Sequence, residues 1–188
     1  MKKKWFIVLI VTAFLSFSGS SPLPEFFLVG DSISGYYKPY LAKYLAGYVM
    51  LESKKDDSQV EDYLDLPGGA NTSDSRKALA FLQGQYKNAA FNPDYILLNC
   101  GLHDIKRDLE TNELQISEQE YRKNLEAIAR LLSEHQTRLI WIRTTPVVDH
   151  IHNARQTTFR RYAADVAAYN QIARSEEHTS ELQSRQSI

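Results

Sequence analysis

Three short apolar runs constrain the fold of this chain more than any other feature of its sequence. Residues 26–29, 95–99 and 139–142 are almost wholly apolar, and each run gives way to residues that favour turns. Short continuous apolar runs are typical of strands that are buried on both faces. Segments with helical spacing separate them, so we predict a parallel sheet covered by helices on both faces. Residues 60–66 are a weaker strand candidate.

Helices are predicted from the spacing of apolar residues and from capping signals. Ser117, with Glu120 three residues later, has the pattern of a capping box. Asp74 or Ser73 can cap another helix in the same way. The expected helices are at 36–45, after 74, after 117 and over 159–172.

Three unusual loops follow the predicted strands or their weaker candidate. They are Gly30-Asp31-Ser32, residues 67–75, and Gly101-Leu102-His103-Asp104. Because ligands of parallel α/β sheets bind beyond the carboxyl ends of the strands, we expect the three loops to meet there.

Each loop has both a catalytic and a structural interpretation. Ser32 follows a glycine and could be a nucleophile at a helix start, or only a helix cap. The second loop could offer a backbone N–H to an oxyanion, or could be a simple turn. His103 could donate a hydrogen bond to the same oxyanion, or could be a structural histidine.

Taken in order, the three loops resemble the first blocks of the SGNH/GDSL hydrolase family. Residues 27–33 resemble the block that holds the nucleophile, which places Ser32 in that role. Residues 71–76 resemble the second block, whose backbone donor is usually glycine; Ser73 is the preferred counterpart here and Gly69 the alternative. Gly101 to Asp104 resembles Gly-x-Asn-Asp, with His103 in place of the asparagine donor.

The resemblance covers residues 26 to 173 and implies a three-layer, flavodoxin-like α/β/α fold. It also implies ester hydrolysis through an acyl-serine intermediate, without a cofactor. The expected substrates are small-molecule or carbohydrate esters, first of all O-acetyl groups on carbohydrate, with lipid esters second.

The last block of that family, Asp-x-x-His, should supply the base and its orienting acid. The nearest local match is Asp149-His150-Ile151-His152, but we take its spacing and its early place after the third apolar run as reasons against it. His150 and His152 are more typical of a polar loop, with metal binding or a substrate loop as the alternatives.

The end of the sequence differs from the rest. Residues 174–184 match a translated sequencing adapter, so we expect residues 174–188 to be foreign to the fold. The hydrolase domain would then be residues 21–173, incomplete at its C-terminus, with the last strand, the Asp-x-x-His loop and the final helix missing. A natural polar tail is the alternative.

The first twenty residues resemble a secretory signal peptide. Lys2 to Lys4 precede an apolar stretch that ends in small residues, and this stretch is short for a membrane span. We expect a secreted or periplasmic protein that meets a membrane only if the segment stays uncleaved. Cys100, the single cysteine, excludes an internal disulfide and is expected to be a buried structural thiol.

Composition limits the remaining choices. The formal net charge is -1, and charged residues make up 24% of the chain, so nothing indicates a nucleic-acid partner. Two alternatives to an esterase stay open: a non-catalytic carbohydrate- or ligand-binding module on the same fold, and a flavodoxin-like nucleotide binder. The second lacks a recognisable phosphate loop.

Overall fold

The computed structural model describes residues 22–54 and 72–186, with side chains as far as residue 176. The predicted signal peptide, the strand candidate at 60–66 and Gly69 lie outside the described residues. The elements, in chain order, are β1 (Glu25–Gly30), α1 (Ser32–Leu45), β2 (Met50–Ser53), α2 (Ser75–Gln85), β3 (Tyr95–Asn99), α3 (Glu118–Glu134), β4 (Arg138–Trp141), α4 (Asp149–Arg155) and α5 (Ala163–Gln186).

The four strands form one parallel sheet in the order β2-β1-β3-β4. The predicted α/β fold with a flavodoxin-like parallel sheet between helices is confirmed. The chain passes from β1 outward to β2 and then returns to place β3 on the other side of β1. Such a reversal leaves a crevice beyond the carboxyl ends of β1 and β3.

The two central strands are buried on both faces, as their apolar runs predict. Phe27 and Val29 of β1 face a core shared with α2, α3 and α5, together with alternate residues of β3. Leu28 and Leu97, which point to the opposite face, are also buried. Helix α1 packs against β1, and α3 packs against both α2 and α5.

Cys100 lies at the centre of this core, directly after β3. The thiol is fully buried and unbridged, and burial raises its pKa well above the ordinary value. Its backbone carbonyl accepts hydrogen bonds from the Tyr121 hydroxyl and from the Thr144 hydroxyl, each at 3.1 Å. The prediction of a structural thiol is confirmed.

Several local predictions need correction. The short strand β2 at Met50–Ser53 was not expected, because its burial alternates and only half of it faces the core. Residues 149–155 form a helix, not a polar loop. Helix α5 runs without a break past residue 173, although Arg174 and Ser175 are exposed.

The polar end of α5 is attached to the fold through Arg122 of α3. Its guanidinium donates to the Ser175 hydroxyl and forms an ion pair with Glu176. A helix here agrees with either interpretation of the tail, because polar sequences of this composition have good helix propensity. No helix within the described residues has the length and apolar composition needed to cross a bilayer.

Gly30 allows α1 to begin directly above the end of β1. A Cβ at Gly30 would lie 2.7 Å from the Ser34 Cβ and 3.3 Å from the Asn99 carbonyl oxygen. The 2.7 Å contact is too short for any side chain, so α1 or the end of β1 would have to shift.

We expect Gly30→Ala to lower the free energy of unfolding by about 1–3 kcal/mol, the usual cost of overpacking. Gly35→Ala, in the same helix, is the control: its Cβ would meet no atom within 4 Å, and it should add up to about 1 kcal/mol through helix propensity. Urea unfolding of both variants measures the difference. Equal stabilities would contradict the role of Gly30.

Candidate active site

The first loop holds Ser32 at the N-terminus of α1. Asp31 is the N-cap: its carboxylate accepts from the Ile33 N–H at 2.9 Å, and its backbone carbonyl accepts from the Ser34 hydroxyl at 2.6 Å. Ser32 itself is half-buried. Neither its hydroxyl nor its backbone N–H has a hydrogen-bond partner among the described residues.

The second loop is bound to the end of β1. The backbone N–H and the hydroxyl of Thr72 both donate to the Gly30 carbonyl at 2.9 Å. Asp74 then caps α2 through the Lys77 N–H, which settles the choice between Asp74 and Ser73 as the cap.

Ser73, between them, has a φ of 59°, a left-handed conformation that favours glycine. A serine at this position therefore carries backbone strain that a glycine would not. The alternative donor, Gly69, lies outside the described residues.

The third loop buries His103 beside the second loop. His103 is 2% exposed, and its Nδ1 lies 3.3 Å from the Ser73 hydroxyl oxygen. If the hydroxyl donates to Nδ1, the imidazole proton is on Nε2, an atom that is itself buried. Asp104, the next residue, accepts the Ser75 N–H at the start of α2, at 3.0 and 3.1 Å from its two oxygens.

Ser32 opens onto a cavity of about 430 Å³. One wall is formed by Ile33 and by Leu102 of the third loop. Most of the other residues around it belong to the segment after β4 and to α4. The described residues around it are Ser32, Ile33, Leu102, Thr145, Pro146, Val147, Val148, Ile151, His152, Arg155, Gln156 and Arg161.

These contacts bring the loops of Ser32, Ser73 and His103 to one edge of the sheet, at the reversal between β1 and β3. Thr72 connects the second loop to the first, Ser73 connects it to the third, and Leu102 shares the cavity with Ser32. The side chains of Ser73 and His103 are not among the described residues around that cavity.

Sequence reasoning missed one histidine of this region. His152, on α4, lies in the wall of the Ser32 cavity and packs against Phe159, whereas His150 is exposed. The objection to spacing was wrong, because His152 follows Asp149 by the three positions of Asp-x-x-His. The Asp149 carboxylate, however, accepts the Ala163 N–H at 2.7 Å and so anchors the start of α5.

No group of three or more His, Cys, Asp or Glu side chains in the described parts of the chain is arranged to hold a metal ion.

Among known proteins, similarity to this chain is found in the fold and not in the sequence. No protein-family model and no curated protein matches the chain. The acetyl xylan esterase AlAXEase is similar in structure, with a TM-score of 0.55 and 12% identity over 83% of this chain and 73% of that one. An acetyl xylan esterase from Geobacillus stearothermophilus has a TM-score of 0.54 and 12% identity over 85% of this chain and 75% of its own. The chain therefore has the fold of these two esterases.

The strain at Ser73 can be measured with two variants. Ser73→Gly and Ser73→Ala both remove the hydroxyl, but only glycine adopts the left-handed conformation without a steric penalty. We expect Ser73→Gly to be more stable than Ser73→Ala by about 1 kcal/mol in urea unfolding. Equal stabilities would show that the second loop relaxes and imposes no strain.

Asp104 should make stability depend on pH. Burial raises its pKa from 3.8 to about 7, so between these values the folded state holds a proton that the unfolded state has released. The contribution of Asp104 is complete below pH 3.8 and is lost as the pH rises toward 7. The free energy of unfolding of Asp104→Asn should therefore fall less over this window than that of the parent chain. Parallel pH profiles of the two would contradict the shift.

Proposed function

We propose that this protein is a secreted serine esterase of the SGNH/GDSL type that hydrolyses small acyl esters, first of all O-acetyl groups on carbohydrate. The observation that carries the proposal is the placement of Ser32, at a helix N-terminus, in the wall of a cavity at the carboxyl edge of the sheet. The fold shared with two acetyl xylan esterases supports it.

Ser32 is the proposed nucleophile. Its oxygen attacks the ester carbonyl, its proton passes to a general base, and the leaving alcohol takes a proton back as the acyl-serine forms. Water then releases the acid in a second cycle of the same kind. The free hydroxyl at the cavity wall agrees with a nucleophile that receives its base from another element.

Three hydrogen-bond donors are proposed to hold the oxyanion. The Ser32 N–H is free and is aligned with the dipole of α1, which favours negative charge. The Ser73 N–H and the His103 imidazole are the other two. In this arrangement the Ser73 hydroxyl fixes the tautomer of His103, so Ser73 acts both as a donor and as a positioning residue.

The base is proposed to come from an Asp-x-x-His segment of the parent protein beyond residue 173. His103 is already assigned to the oxyanion, and one imidazole cannot easily perform both tasks. Within the described residues, His152 also lies near this edge of the sheet. Because it lines the Ser32 cavity, it is the alternative candidate for the general base.

The experiment measures hydrolysis of 4-nitrophenyl acetate by the 188-residue chain, with and without added imidazole. Without imidazole we expect little turnover above that of Ser32→Ala, because loss of a triad base costs several orders of magnitude. Free imidazole should restore part of the activity in the chain but not in Ser32→Ala, which also corrects for direct catalysis by imidazole. In the parent protein, Ser32→Ala should lower kcat/KM by about 10³-fold or more.

Two results would count against this account. Full turnover by the 188-residue chain that depends on both Ser32 and His152 would make His152 the base. A parent protein that binds acetylated glycans but shows no turnover dependent on Ser32 would be a binding module on the same fold.

A further inference from the structure

Helix α1 carries a row of exposed tyrosines that the proposed chemistry does not use. Tyr36, Tyr40 and Tyr44 follow one another at intervals of four residues, and Tyr48 comes just after the helix. Their exposed fractions are 57%, 67%, 76% and 74%. We call these four residues the tyrosine row.

The spacing places the rings along one side of the helix. Residues four apart on a helix are about 6 Å apart along the axis and share a face. Large exposed aromatic side chains that form a contiguous surface usually mark a binding site. A flat ring that ends in a hydroxyl offers an apolar face and a polar edge, as a sugar ring does.

The row begins one helical turn after the candidate nucleophile. Ser32 is the first residue of α1 and Tyr36 stands one turn after it, so the row leads away from the nucleophile along the same helix. The cavity beside Ser32 contains no Phe, Tyr or Trp side chain among its described residues. It has room for the acyl group, but its one imidazole ring, that of His152, already packs against Phe159.

Other occupants fit the row less well. All four members are tyrosines, and none is the leucine, phenylalanine or tryptophan expected of a surface that inserts into a membrane. A row of separate rings, each with a hydroxyl, suits an extended chain of repeating polar rings. We propose that the tyrosine row binds the backbone of a neutral polysaccharide and aligns its acyl groups with Ser32. This inference rests on the proposed esterase function.

The experiment measures binding without hydrolysis. The probes are chemically deacetylated xylan in affinity electrophoresis, and xylan oligosaccharides from the disaccharide to the hexasaccharide in calorimetry. We expect the 188-residue chain to bind, with affinity that rises with oligosaccharide length. The double variant Tyr40→Ala/Tyr44→Ala should weaken binding by about 10-fold or more, which corresponds to the loss of about 1.4 kcal/mol.

Two controls separate stacking from other effects. Tyr40→Phe/Tyr44→Phe keeps both rings and should retain most of the affinity. Leu109→Ala removes an exposed apolar side chain outside the row and should leave binding unchanged. Because all these positions are exposed, thermal midpoints close to that of the parent chain should verify folding.

The inference is overturned if the parent chain binds no deacetylated xylan, or if the double alanine variant binds it equally well. It is also overturned if light scattering shows a dimer that the alanine variant loses, since the row would then contact a second copy of the chain. The binding probes carry no ester, so binding and hydrolysis are measured separately. Binding of deacetylated xylan by a protein whose hydrolysis of 4-nitrophenyl acetate does not depend on Ser32 would overturn only the esterase proposal. Ser32-dependent hydrolysis without binding of deacetylated xylan would overturn only the proposal that the tyrosine row binds a polysaccharide.

Discussion

The buried carboxyl group of Asp104 connects two of the three loops on which the candidate site depends. It accepts the first N–H of α2 from Ser75, while its own backbone carbonyl accepts from Ile116 ahead of α3. One residue thus fixes the starting point of α2 relative to the end of β3. His103 precedes Asp104 and Ser73 precedes the capping Asp74, so their 3.3 Å contact follows from this attachment.

The strand order of the sheet is the second constraint on the site. The chain leaves β1 toward β2 on one side and leaves β3 toward β4 on the other, so the loops that follow β1 and β3 diverge. The Asn99 side chain donates to the Ile142 carbonyl at 2.9 Å and so joins the ends of β3 and β4. The segment after β4 is held in turn by Asn170, whose amide pairs with both backbone groups of Thr144. That segment lines the Ser32 cavity. The cavity therefore depends on α5 as well as on the three loops.

The sequence predicted best where several local signals agreed. Tyr95–Asn99 was predicted with its observed bounds, and the caps at Asp74 and Ser117 were found because side-chain capping has a clear pattern. Strand β2 was missed because an edge strand with alternating burial has no apolar run. Helix α4 was missed because it is short and its N-cap makes no side-chain hydrogen bond. His152 was set aside although it has the Asp-x-x-His spacing to Asp149, because its place in the cavity wall depends on the tertiary packing of α4.

The left-handed backbone at Ser73 was also beyond prediction, since a serine gives no sign of a positive φ. The resemblance to a family with glycine at this position was the available signal.

The single thiol of Cys100 offers a use that has nothing to do with catalysis. It lies between the sheet and α3, out of reach of solvent, and its high pKa keeps it protonated. A thiol reagent can meet it only after the packing of β3 against α3 and α5 has opened. The rate at which a thiol reagent modifies Cys100 therefore measures how often the core opens. Because the thiol lies below the loops, this rate is separate from the movements of the loops themselves.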